Sequence, residues 1–453
     1  MAEPPFPDAH PDVRAARRSA DEYARAFADA APRLTRAQSV TEAERCLYCY
    51  DAPCARACPT GIDVPSFIRR IAEGNLRGAA RVILEANPLG GTCARACPTE
   101  VLCEEVCVRN VGEGRPVAIG RLQRVATDAV MDRPVGALFN RAAPSGRRIA
   151  IVGAGPAGLA CAFALARRGH GVVLHDARPA AGGLNEYGLA SYKMAGGFAR
   201  AEVDWLLGIG GVELKLGWKL ENAAGLEALR REFDAVYLAL GLGSTHRLGI
   251  PGEDLPGVRD AVDFIAELRR ASNAAALAAL ETLAALAIGR RVVVIGGGMT
   301  AIDAAVQCRL LGAEDVHLVY RRGPQQMPAT PAEREWAQKQ GVTLHFGLAP
   351  QALVARNGHV AAVRFARSDG AGEHSFVADM VLKAIGQKLD SGWLEGSGLT
   401  LEGGRIVADD EGRTALPRLY AGGDCRRGGR DLTVEAVADG QRAAAAIDAD
   451  LKH

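Results

Sequence analysis

Neither sign of charge is in excess. Lys and Arg number 54 against 53 Asp and Glu, a formal net charge of +1, and this excludes a basic nucleic-acid surface or a polyanion-binding face as the feature that organises the chain. A long apolar run is also missing. The most apolar candidate, residues 274–288, is interrupted by Glu281 and Thr282 and falls short of the roughly 18 residues a membrane span needs. The opening stretch MAEPPFPDAHPDVRAARR has no apolar core of a secretory signal. Disulfides are therefore not expected, and the cytoplasm is the expected compartment. The 53 glycines, with many alanines and valines across 453 residues, suit about three domains of α/β nucleotide-binding type rather than low complexity.

Cysteine is the residue in surplus. Eight of the eleven lie between Cys46 and Cys107. Cys46, Cys49, Cys54 and Cys58 read C-x2-C-x4-C-x3-C-P, Cys93, Cys97, Cys103 and Cys107 read C-x3-C-P-x4-C-x3-C, and the heptapeptide CARACPT occurs at 54–60 and again at 93–99. Zinc sites usually pair two short knuckles across a gap of a dozen or more residues, whereas the first four cysteines here fall within thirteen positions. Close-spaced thiolates followed by Cys-Pro match a ferredoxin run, in which the last cysteine serves the other cluster. The spacing predicts two [4Fe–4S] clusters, with all eight cysteines as ligand candidates. Such clusters carry one electron at a time, so the chain is expected to be an electron conduit.

Between the cysteines the pattern is helical. Val64 to Glu73 opens with Pro65 in a first turn, and Leu76 to Ala86 has apolar residues at helical spacing. Residues 1–40 are charged and alanine-rich, a mobile start or an arm packed on a neighbour, with helical spacing around 13–31. Residues 132–146 read as a linker.

At Arg148 a short apolar strand begins, followed by Gly153-Ala154-Gly155-Pro156-Ala157-Gly158, a helix, and a second strand ending in Asp176. In this G-x-G-x-x-G turn a side chain would block the tight bend, the approach of a pyrophosphate, and the packing of helix on strand. The helix N-terminus offers amide donors to phosphate, and Asp176 can accept from ribose hydroxyls. The unit then recurs as Gly296-Gly297-Gly298-Met299-Thr300-Ala301, again between strand and helix. Each copy is followed by D-x-V-x-x-A-x-G, at Asp234–Gly241 and at Asp379–Gly386, the second containing Ala384 and Ile385. Two dinucleotide folds in one chain imply two nucleotides. The strand ending in Asp176 suits an unphosphorylated ribose, as in FAD. The other ends in Tyr320-Arg321-Arg322, whose paired guanidiniums suit the 2′-phosphate of NADPH. Near the C-terminus, Gly423 and Asp424 form a Gly-Gly-Asp turn ahead of a helix starting near Thr433 and Val434, which is similar to the closing segment of flavin-disulfide-reductase-like folds.

The expected architecture is α/β: a helical two-cluster domain over 1–145, then an FAD-binding domain over 146–253 and 388–453, with an NAD(P)H-binding domain inserted at 254–387. In that order of parts the chain resembles the small subunits of bacterial glutamate synthase and, more closely, the NAD(P)H-oxidising, PreT-type subunits of dihydropyrimidine dehydrogenase. The residue that favours the second is Gln123, sixteen positions after Cys107, where that family uses a glutamine as a cluster ligand. The resemblance implies one cluster on Cys46, Cys49, Cys54 and Cys107, and the other on Cys58, Cys97, Cys103 and Gln123, with Cys93 a bystander. It places Gly183, Leu184, Lys193 and Leu220 among the flavin-contacting positions. Met299 stands where the family often has Asp, Lys193 where an arginine is usual, and Pro328 where the animal enzyme has a third basic residue. The implied function is hydride transfer from NAD(P)H to FAD, then electron transfer to a separate FMN and iron–sulfur subunit that reduces uracil or thymine. A glutamate synthase small subunit is the rival within the same chemistry, and a non-catalytic assembly or redox-sensing subunit the rival outside it. Hydride transfer needs no general base, and the nine histidines are read as surface or structural. The chain is expected to work in a hetero-oligomer.

Overall fold

The computed structural model describes residues 18–272, 286–370 and 372–452. Residues 1–17 of the start or arm expected over 1–40, and nearly all of the apolar stretch 274–288, lie outside them. Among the described residues, no helix is long and apolar enough to cross a membrane. The chain forms two compact bodies. One comprises Ala31–Glu186, Gly197–Ser244 and the chain from Lys388 onward; the other comprises the described residues up to Ala30, Tyr187–Gly196 and Thr245–Gln387.

The first body joins the cysteine-rich helices to a nucleotide fold. Helix Val64–Ala72 starts where Asp63 caps it, accepting from the Ser66 amide at 3.1 Å, and where proline tolerates the unpaired first turn. Its Val64, Phe67, Ile68 and Ile71 fall on one face and are buried, and they meet Ala79, Ala80, Ile83 and Leu84 of helix Leu76–Ala86 in one core. Burying each of the valine, isoleucine, leucine and phenylalanine side chains among these contributes about 1.5–3 kcal/mol. The same core continues through Phe139 into Phe163 and Trp205, so residues 132–146 are an ordered seam. The sheet is parallel, in the order Leu419–Ala421, Ala235–Leu238, Arg148–Val152, Gly171–Asp176, Val212–Leu216. Its central strands are buried on both faces, which accounts for their unbroken apolar sequence.

The second body repeats the plan. Its parallel sheet runs Val258–Asp260, Met380–Ala384, Arg291–Gly296, Asp315–Tyr320, Thr343–Phe346. The repeated aspartate now has a physical role: Asp234 accepts the Arg148 amide at 2.8 Å, and Asp379 accepts the Arg291 amide at 3.0 Å. In both folds it anchors the amide that opens the first strand. A three-stranded antiparallel sheet, Leu348–Arg356, His359–Arg367 and Glu373–Val377, is built into this body and was not expected. The N-terminal arm packs here too. Ser19 and Glu22 form a capping box on helix Ala20–Ala26, and Tyr23, 1% exposed, donates to the Leu311 carbonyl at 3.3 Å.

Candidate functional site

In the first body, strand Arg148–Val152 runs into a bare backbone turn and then into helix Pro156–Arg167. Gly153 has φ +107°, and a Cβ there would lie 2.1 Å from the Ala239 carbonyl oxygen; at Gly158 it would lie 1.8 Å from the Gly153 oxygen. Gly155 faces Gly183, whose own Cβ would meet the Gly155 Cα at 2.7 Å. Two glycine backbones thus bound an open cradle at a helix N-terminus, the arrangement that receives a pyrophosphate. Asp176 is held beside it, accepting from the Ala154 amide at 2.7 Å and the Arg178 amide at 2.8 Å. A carboxylate has further lone pairs left for ribose hydroxyls. Leu220 is buried two residues past Trp218, whose amide donates to the Asp176 carbonyl at 2.9 Å.

The C-terminal turn arrives at the same place. A Cβ on Gly423 would meet the Ala157 Cβ at 2.9 Å, and one on Gly440 of helix Thr433–Asp450 would meet the Ala157 oxygen at 2.1 Å. Gly423, Asp424 and the closing helix therefore rest on the first turn of helix Pro156–Arg167. Thr433 donates to Asn185 Oδ1 at 2.8 Å, which ties the helix start to the Gly183-Leu184 loop. Burial, with Asp431 nearby, pushes the Asp424 carboxyl up to about 7, so it holds its proton well above the usual carboxylate range.

In the second body, a Cβ on Gly296 (φ +154°) would meet the Ala384 oxygen at 2.2 Å, and one on Gly297 would enter the Tyr320 ring at 2.4 Å. Gly298 caps helix Met299–Leu311 with open space around it, leaving the first-turn amides of Met299 and Thr300 accessible. Arg321 and Arg322 are exposed just past strand Asp315–Tyr320. Gly386, φ +101°, follows Ala384 and Ile385 at the end of the neighbouring strand. Lys193 also lies in this body. Its Nζ pairs with Asp303 at 2.8 Å and Glu333 at 3.0 Å, and Tyr192 donates to Asp303 at 2.9 Å. The two carboxylates raise the lysine above its ordinary value in spite of burial. In this structure the amine secures segment Tyr187–Gly196 to helix Met299–Leu311.

The cysteines sort spatially into two groups that differ from their order in the sequence. Cys46, Cys49, Cys54 and Cys107 line one pocket open to solvent, walled by Leu47, Val64, Ile68, Val108 and Ile119. Around Cys97 the neighbouring thiols are Cys93, Cys103 and Cys58. Burial pushes the Cys54 thiol up to about 11 and raises Cys97 and Cys103 further. Thiolates at such sites require a bound cationic centre. Among the described residues no group of three or more His, Cys, Asp or Glu stands at the spacing of a single metal ion. Cys46, Cys49, Cys54 and Cys107 instead surround a pocket, which fits a multi-iron group. Gln123 is buried, and its Nε2 donates to the Gly90 carbonyl at 2.7 Å. That bond uses the donor end of the amide and leaves the oxygen as the candidate ligating atom. Cys93 accepts from Asn87 Nδ2 at 3.2 Å.

One residue that the sequence gave no reason to single out is Glu202, fully buried on helix Phe198–Leu207. It accepts from the Gly91 and Thr92 amides at 2.8 and 3.1 Å, and also from the Thr92 hydroxyl, so it holds the start of the helix that carries Cys93. An isolated glutamate within a helix has no sequence signature. Burial pushes its carboxyl from 4.5 up to about 7. A group that binds its proton more tightly when folded stabilises fully below its unfolded value, and that stability is lost as pH rises through the folded one. The melting temperature should therefore fall as pH rises from about 4.5 to about 7, Glu202 contributing on the order of 3 kcal/mol and Asp424 acting in the same direction. Melting curves of wild type and Glu202→Gln across this range check it, the variant showing a flatter profile.

Comparison with known proteins agrees with this geometry. The family described as pyridine nucleotide-disulphide oxidoreductase matches residues 147–440. The chain belongs to that family. Residues 23–135 match dihydropyrimidine dehydrogenase domain II, 4Fe-4S cluster. Among relatives, the beta subunit of an NADP(+)-dependent formate dehydrogenase from Moorella thermoacetica is 35% identical over 88% of this chain and 60% of its own length. The chain thus spans less than two thirds of that relative. The PreT subunit of NAD-dependent dihydropyrimidine dehydrogenase from Escherichia coli is 34% identical, covering 92% of this chain and 95% of its own. The small chain of Escherichia coli glutamate synthase [NADPH] is 32% identical, covering 90% and 91%. The T. acidophilum thioredoxin reductase structure shares the fold, with TM-score 0.54 and 22% identity over 68% of this chain and all of that one. The chain is accordingly an oxidoreductase that uses FAD, NAD(P)H and [4Fe–4S] clusters.

Exposed paired guanidiniums at Arg321 and Arg322 give a direct expectation about the nucleotide. If they hold a 2′-phosphate, Arg321→Ala combined with Arg322→Ala raises KM for NADPH more than about tenfold and leaves KM for NADH unchanged. Steady-state kinetics with both nucleotides measures the split.

Proposed function

We propose that this chain is the electron-input subunit of a dihydropyrimidine dehydrogenase-type complex, delivering electrons from NAD(P)H to an FMN and iron–sulfur partner that reduces uracil or thymine to the 5,6-dihydro product. When bound, FAD supplies hydride acceptance from NAD(P)H and the clusters supply one-electron steps onward. The observation that carries the reading is the placement of the second thiol group. Cys58, Cys93 and Cys97 pack with Leu102 against Leu432 and Val434, at the start of the closing helix. The same helix start is bonded to the flavin-side loop through Asn185. Cys103 in turn has Cys58 and Cys54 as neighbours, so the two thiol groups are adjacent.

The chain's own residues then have defined tasks. Gly153, Gly155 and Gly158 admit the pyrophosphate, and Asp176 takes the ribose. The N-terminus of helix Thr433–Asp450 favours negative charge on the flavin ring. Leu102 and Val434, both buried, keep water from the path. The PreT relative's near-complete coverage and Gln123 support the pyrimidine partner. The similarly covered glutamate synthase small chain supports the second reading, the same chemistry with an amidotransferase-type partner.

The test is NAD(P)H oxidation by the isolated chain under anaerobic conditions. Ferricyanide reduction in the absence of any partner, with uracil left unreacted, is the expected outcome. An isolated chain that reduces uracil as fast as a complex does would overturn the division of labour.

A further inference from the structure

At the end of helix Pro156–Arg167 remote from the glycine turn, three arginines line a pocket that includes none of the thiols and none of the nucleotide-binding glycines. Arg77 and Arg81 come from helix Leu76–Ala86, Arg167 ends its own helix, and the seam residues 136–140, with the Asn140 amide, complete the wall. A helix of 12 residues is about 18 Å long, so the pocket is well separated from the pyrophosphate cradle at the other end. It is open to solvent, holds about 420 Å³, and has no acidic residue in its lining.

Two of the guanidiniums are held in place. Arg167 lies over the Phe139 ring at 4.5 Å and donates to both oxygens of Glu85, at 2.9 and 3.2 Å. Arg77 donates to the Ala137 carbonyl. Arg81 has neither a hydrogen bond nor an ion pair among the described residues. Glu85 therefore compensates one of the three charges and leaves two. Arg77 and Arg81 stand four positions apart on one helix, a spacing at which like charges destabilise the helix. A bound anion relieves that repulsion.

The charge and the volume narrow the ligand. Two uncompensated cations match a dianion, and a phosphate monoester carries about −1.5 to −2 at neutral pH. Guanidinium forks pair with phosphate oxygens two at a time. The pocket holds more than a phosphate group alone fills, and the Asn140 amide, with both donors and an acceptor, suits the hydroxyls of an attached sugar. We infer that Arg77, Arg81, Asn140 and Arg167 form a binding site for a small sugar phosphate, whose phosphate group bridges helix Leu76–Ala86 to the end of helix Pro156–Arg167. The ligand acts there as an effector that clamps a cysteine-domain helix to the first nucleotide fold. No bond is made or broken.

The test is calorimetric titration of the full chain, loaded with FAD and clusters, with ribose 5-phosphate, glucose 6-phosphate, inorganic phosphate and, as the uncharged control, ribose. At least one sugar phosphate should bind once per chain, raise the melting temperature and weaken as salt is added. Inorganic phosphate should bind at least about tenfold more weakly for want of the sugar contacts, and ribose should not bind. Arg81 is exposed in mid-helix, where alanine is a good helix former, so Arg81→Ala should keep wild-type FAD, iron and ferricyanide reduction. Its affinity for the sugar phosphate should fall at least about tenfold, and Arg81→Lys, which restores the charge without the fork, should recover part of the loss. Binding of neither sugar phosphate, binding that Arg81→Ala leaves unchanged, or inorganic phosphate bound as tightly as the sugar phosphates would each overturn the inference.

Discussion

Gly158→Ala yields a chain without flavin. The new Cβ would sit 1.8 Å from the Gly153 carbonyl oxygen and 3.3 Å from Ile151, and backbone cannot yield as a flexible side chain does. Helix Pro156–Arg167 must move off its strand, at a cost above the ~1–3 kcal/mol typical of overpacking. Gly153→Ala should behave alike, because it combines φ +107° with a 2.1 Å approach to the Ala239 oxygen. Gly298→Ala is the internal control. Its φ is −89° and nothing lies within 4 Å of the added atom, so FAD content and melting temperature should stay as in wild type while KM for NAD(P)H rises. FAD per chain and thermal melting of the three variants decide the matter. A Gly158→Ala chain with full flavin would mean that this turn does not carry the cofactor.

Cys107→Ser gives the second large effect. Cys107 lies in sequence with the later four cysteines but in space with Cys46, Cys49 and Cys54. The substitution should remove about half the iron, leave FAD and its bleaching by NAD(P)H intact, and abolish delivery to a protein acceptor. Two companions test the ligand set. Gln123→Leu should lose iron from the other group, whereas Cys93→Ser, whose native thiol accepts from Asn87, should keep all of it. Iron analysis separates these outcomes, and loss of iron on Cys93→Ser would exchange the roles of Cys93 and Gln123.

Much of this was legible in the sequence because its causes are local. A glycine turn between strand and helix is specified within six residues, and the strand ending in Asp176 follows directly. The Cys-Pro spacing likewise announces a cluster domain, and the helix at Leu76–Ala86 falls where the apolar spacing placed it. What was not legible depends on distant packing. Tyr23 reaches its buried place on helix Met299–Leu311 across 288 residues, so described residues up to 30 cluster with the second nucleotide fold rather than with the cysteine helices. Segment Tyr187–Gly196 joins the same body, and the Lys193 amine is engaged by Asp303 and Glu333. The antiparallel sheet had a readable turn at Asn357-Gly358, both left-handed in the structure, but alternating residues over a half-buried sheet are a weak signal beside two complete nucleotide folds.

The most direct measurement is anaerobic uracil-dependent oxidation of NADH and NADPH by the chain alone, by the FMN and iron–sulfur subunit alone, and by the two together. The account predicts oxidation only in the mixture, one dihydropyrimidine per NAD(P)H consumed, and its loss when Cys107→Ser replaces wild type. Bleaching of the flavin by NAD(P)H with no uracil reduced in the mixture would contradict the pyrimidine partner and transfer the chain to another acceptor.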